Sequence, residues 1–107
     1  MVRWADPERM AAAVRSWAAE QRERHPGVTR IFWYGSWVSG RPTPASDVDV
    51  CVVLRDDDRP RRDRIPDFLP ERFPTGVDLI VLTEAEMEQL ASDAPTWHAA
   101  ITGGRPV

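Results

Sequence analysis

The sequence predicts an α/β (α+β) domain, a small mixed β-sheet with helices packed mainly on one face. Three observations carry that expectation. Residues 7 to about 25 repeat Met10, Ala13, Val14, Trp17 and Ala18 at the spacing of one helix face, with charges opposite. Three short runs rich in β-branched and apolar residues follow: VTRIFWY, VDVCVVL and VDLIVL. Helix-start signals stand after the last of them. At 107 residues the expectation is one domain, 1–107, with a real core and no room for a second module.

The elements can be justified in order. Asp6-Pro7 reads as an N-cap and a proline at the first helical position, and Pro26-Gly27 stops the helix. Val28–Tyr34 is a strand ending at Gly35. Residues 36–40 read as a helical turn, and residues 41–45, with two prolines, as a loop. Val48–Leu54 is a second strand, apolar on both faces except for its aspartate, and residues 77–82 are a third carrying Asp78. Residues 55–76 hold four prolines and balanced charge, a connection long enough to be functional or mobile, with a short helical turn near residues 66–69. Thr83-Glu84-Ala85-Glu86 is a capping box opening a helix to about residue 90. A last helix over 95–101 should end at Gly103.

Composition excludes several functions. No apolar stretch approaches the roughly 20 residues that cross a bilayer, and the MVRWADPERM start has no secretion-signal segment. The lone Cys51 cannot form an internal disulfide, so a cytoplasmic location is expected. Net charge is −3, which speaks against stable non-specific nucleic-acid binding. All 14 basic residues are arginine, which excludes a catalytic lysine. Cys51 suits a small buried hydrophobe better than a nucleophile, and His25 the end of a helix. Trp37, beside the serine, is a candidate for stacking on a base or a partner. The arginines of RDDDRPRRDR suit a solvated loop first and a triphosphate or acidic partner second.

The chemistry lies in the aspartates. Asp47 and Asp49 stand two apart on a strand, so both side chains leave one face, with Cα atoms roughly 6.5–7 Å apart. Carboxylates so placed repel one another unless cations lie between them, and hard Mg²⁺ ions about 3.5–4 Å apart can be bridged by such a pair. Asp78, on a neighbouring strand, is positioned to supply a third carboxylate. Gly35 at a strand end lets a ligand approach the backbone, and the turn beginning at Ser36 offers amide donors and a hydroxyl to an anion. Ser46 reads first as a turn former, and otherwise as a nucleotide contact.

Gly35-Ser36, ten intervening residues and Asp47-Val48-Asp49 together resemble the GS-x10-DxD signature of the minimal nucleotidyltransferases, within the superfamily that includes DNA polymerase beta. Gly40 and Ser46 inside the spacing and Asp78 in VDLIV strengthen the likeness, which spans nearly the whole chain. The resemblance implies a nucleotidyltransferase fold. It also implies Mg²⁺-dependent transfer of a nucleoside monophosphate from ATP or another NTP to an acceptor hydroxyl, with release of pyrophosphate. Gly35, Ser36 and Ser46 would hold the nucleotide. Asp47, Asp49 and Asp78 would hold two Mg²⁺ ions, Asp78 also accepting the proton of the attacking hydroxyl. One departure stands out: Val38-Ser39 replaces the Ala-Arg common after the GS pair, and Arg41 is the nearest arginine.

Stand-alone minimal members are similar to the antitoxin halves of toxin–antitoxin pairs. This implies AMPylation of a tyrosine on a helical HEPN-type partner. A non-catalytic, partner-binding scaffold of the same fold and nucleotidylation of a small hydroxylated compound are the alternatives, and self-association is compatible with either.

Overall fold

The computed structural model describes residues 7–40 and 47–107. The expected Asp6 cap, the 41–45 loop, Arg41 and Ser46 lie outside the described residues. Helix α1 (Pro7–Arg24) leads into β1 (Val28–Tyr34), a one-turn helix α2 (Ser36–Ser39) and β2 (Val48–Leu54). Then come α3 (Arg61–Arg64), a 3₁₀ turn (Ile65–Asp67), β3 (Val77–Thr83), α4 (Glu84–Asp93), α5 (Pro95–Thr102) and β4 (Arg105–Pro106). The expected boundaries hold to within a few residues. The two-residue β4 and the α3 turn were not expected.

The sheet is mixed, in the order β3-β2-β1-β4, with β2 antiparallel to β1 and parallel to β3. Strand alternation divides the core in two. Val48, Val50, Val52 and Leu54 join Ile31, Trp33, Leu79 and Val81 under α1. Cys51 and Val53 join Phe32, Tyr34, Leu82, Met87 and Ile101 under α4 and α5. The helices therefore cover both faces, where the sequence had placed them mainly on one. The cause is visible in β2, whose side chains are apolar on both faces and need cover on both.

The connection at residues 55–76 is fastened by two buried groups. The Trp17 indole N–H donates to the Phe68 carbonyl at 2.7 Å, holding the loop to α1. Arg64, which sequence reasoning placed in a solvated loop, is only 3% exposed. It donates to the Val81, Asp57 and Arg59 carbonyls and to Glu86 at 2.6 Å. Glu86 is also the capping-box acid of α4, accepting from the Thr83 amide at 2.8 Å while the Thr83 hydroxyl accepts from the Glu86 amide. Arg59 is engaged by Asp57 and Asp67, and Arg61 by Glu86. Most arginines of this loop are thus committed to internal ion pairs.

Burial pushes the Glu86 carboxyl up, but the Arg64 hydrogen bond, the Thr83 amide and the charges of Arg64 and Arg61 outweigh it and hold it at about 2. A carboxyl depressed in the folded state leaves the unfolded chain binding more protons. Its contribution is therefore complete above about 4.5 and lost as pH falls through about 2. Glu86→Gln, which can keep the capping geometry, should cost about 2 kcal/mol at neutral pH by leaving Arg64 without its carboxylate. In urea denaturation the gap between the variant and the native chain should narrow across that acidic window.

Candidate active site

In-register pairing builds the site. The β1–β2 register sets Tyr34 opposite Asp49, and the parallel β2–β3 register sets Asp49 opposite Asp78. Tyr34, Asp49 and Asp78 thus form one row across three strands on the α4/α5 face. The next row on that face, Phe32, Cys51 and Ile80, is apolar. The acids lie where the sheet emerges from its helical cover: Asp47 and Asp78 are exposed and Asp49 is half-buried.

Asp49 and Asp78 face each other across the β2–β3 ladder, close enough for their carboxyl groups to interact. Burial pushes the Asp49 carboxyl above its ordinary value, and the charges of Asp78 and Asp47 push it the same way. Burial also raises the Tyr34 phenol, with Cys51, Asp49 and Asp78 adding to the effect, so this hydroxyl stays protonated beside the acids.

Two glycines make room for the carboxylates. Gly35 sits at φ 85°, ψ −159°, a region open essentially to glycine alone. A Cβ built there would collide with the Asp49 carboxylate, its Cγ 2.9 Å away. Gly76, just before β3, bears the same relation to Asp47, whose Cγ would lie 3.1 Å from an added Cβ. After Gly35 the chain turns directly into α2, the Val38 and Ser39 amides donating to the Gly35 carbonyl at 3.1 and 3.0 Å. The first-turn amides of such a helix have no acceptor within it. Gly40, at φ 85° and ψ 15°, closes the turn. Trp37 and Val38 pack against the α1-side core.

The sequence-predicted residues are therefore only partly assembled. Asp49 and Asp78 form a pair, Gly35 packs against Asp49 with Ser36 next in the chain, and Asp47 leans over Gly76. Among the described residues no three acidic, histidine or cysteine side chains gather into a ready cation cage. The donor set nevertheless fits a hard divalent ion, because it consists of carboxylate oxygens held against side-chain-free backbone. Gly76 escaped the reading of the sequence, and only the strand register brings Tyr34 to the acids.

The nucleotidyltransferase domain family matches residues 15–99, a span holding Gly35, Ser36 and all three aspartates. The chain belongs to that family. A crystal structure from Sulfolobus solfataricus, of a protein provisionally named a nucleotidyltransferase, superposes with a TM-score of 0.63. The two are 24% identical, over 78% of this chain and 75% of that one, a likeness of fold. No curated protein matches the chain. The family assigns the chain to nucleotidyl transfer.

Gly35→Ala should destabilise the fold by about 1–3 kcal/mol through its backbone angle and displace the Asp49 side chain. Urea denaturation reads the first effect. A crystal structure of the variant, showing Asp49 moved off Asp78, reads the second.

Proposed function

We propose that the chain transfers AMP from ATP to an acceptor hydroxyl with Mg²⁺ held by Asp47, Asp49 and Asp78, and that the acceptor is a tyrosine of a HEPN-type partner. The chain would then act as the antitoxin of a toxin–antitoxin pair. The observation that carries the transfer is the Asp49–Asp78 pair packed against Gly35, where an added Cβ would collide. The tyrosine acceptor and the HEPN partner follow from the resemblance to stand-alone minimal members.

Bound Mg²⁺ would neutralise phosphate oxygens and stabilise charge on the departing pyrophosphate. The chain's own residues do the rest. Gly35 offers bare backbone to the triphosphate, and Ser36 adds a hydroxyl donor. Asp78, the exposed member of the pair, accepts the acceptor's proton. The acceptor oxygen then bonds to the α-phosphorus as the bond from that phosphorus to the bridging oxygen of the β-phosphate breaks, and pyrophosphate leaves. Catalysis here is mostly positioning and charge stabilisation.

A second reading, a partner-binding scaffold without catalysis, is favoured by one observation: among the described residues the three aspartates do not gather into a ready cation cage. Incubation with α-labelled ATP, Mg²⁺ and a candidate HEPN protein separates the two. Transfer should move label to a partner tyrosine and fall at least about a hundredfold in Asp49→Asn and Asp78→Asn. Neutralisation of the partner that survives both substitutions without label would establish the scaffold, and label on a small hydroxylated compound alone would redirect the acceptor.

A further inference from the structure

Beside the acid row the α4/α5 face carries a groove of about 110 Å³ along the outer edge of β3. Ile80, Leu82, Leu90 and Trp97 line it, together with Ile65 and Arg61. It begins at Ile80, two residues along β3 from Asp78 on the same face, a step of roughly 6.5–7 Å. Trp97 joins groove and acids. Its ring stands edge-on to Tyr34, centroids 5.6 Å apart at 85°, and Tyr34 is in register with Asp49. Yet Trp97 is 44% exposed, one of two large apolar side chains so open among the described residues.

We infer that this groove seats the aromatic ring of the acceptor, with Trp97 as its positioning wall, so that a phenolic hydroxyl emerges toward Asp78. The inference rests on the transfer reading above and adds what selects the acceptor. Size admits no more than a single ring, since the groove is smaller than the enclosed cavity of about 150 Å³ that holds one benzene. Lining chemistry agrees. A purine needs partners for its polar edge, whereas the walls are aliphatic and aromatic apart from Arg61, which is engaged by Glu86 at 3.4 Å. The carbonyl of Val81, on the strand that lines the groove, already accepts from Arg64. A phenol ring buries apolar faces and leaves only its hydroxyl to be satisfied at the mouth, and its ring gains the edge-to-face contacts that Trp97 already makes with Tyr34.

The test uses the whole chain, native and Asp49→Asn, with the Trp97 indole N–H signal followed by NMR and assigned by its loss in Trp97→Phe. N-acetyltyrosinamide should move that signal in both proteins, while N-acetylserinamide and Mg·ATP should not. In the labelled-ATP assay Trp97→Ala should raise the KM for the tyrosine acceptor about tenfold with the KM for ATP unchanged, and Trp97→Phe should restore most of the loss. If the tyrosine compound moves Trp97 but no label is transferred by the native chain, the groove stands and the transfer reading fails. Label reaching tyrosine with an unmoved Trp97 signal and an unchanged acceptor KM overturns the groove alone. A Trp97 signal moved by ATP rather than by the tyrosine compound overturns it too, and makes the groove a base site.

Discussion

The parallel, in-register pairing of β2 with β3 is the constraint on which this molecule depends. It sets Asp49 against Asp78, an arrangement costing on the order of 1 kcal/mol between exposed like charges and several times that when water is partly excluded. The strands keep that register because shifting it by one residue would turn Cys51 and Val53 on one face, or Val50 and Val52 on the other, away from their helices. Each of these buried side chains is worth about 1.5–3 kcal/mol. Apolar burial on two faces thus forces an unfavourable acid pair into one place.

Several neighbours accommodate that pair. Gly35 gives up a side chain where the Asp49 carboxylate lies, as Gly76 does for the neighbouring Asp47, and Tyr34 supplies a neutral hydroxyl at the end of the row. The Arg64–Glu86 hub holds the long connection and the start of α4 against β3, so the β3 edge keeps its shape. An acid row beside bare backbone with an aromatic-walled groove at its side is consistent with a site that joins a phosphate-bearing donor to a ring-bearing acceptor.

Much of this was legible in the sequence because local signals and long-range packing agreed. The VDVCVVL and VDLIVL runs declared strands whose only polar members were the acids, and the Gly35-Ser36 spacing tied them to a turn. Thr83 and Glu86 declared their capping box. What was not legible depended on register and on partners distant in the chain. Trp97 reads as one residue of a short helix until the fold sets it on Tyr34, and Arg64 reads as loop charge until Glu86 and three carbonyls surround it. The division of helices between both faces was implicit in a β2 apolar on both sides. Helix α1 and helices α4 and α5 could be assigned to opposite faces only once the strand order was known.

The most direct test of the central claim is calorimetric titration of Mg²⁺ into the native chain and into Asp49→Asn, each with a non-hydrolysable ATP analogue present. The account predicts cation uptake by the native chain that depends on the nucleotide and disappears in the variant. Uptake of equal strength in both proteins, or none in either, would contradict it.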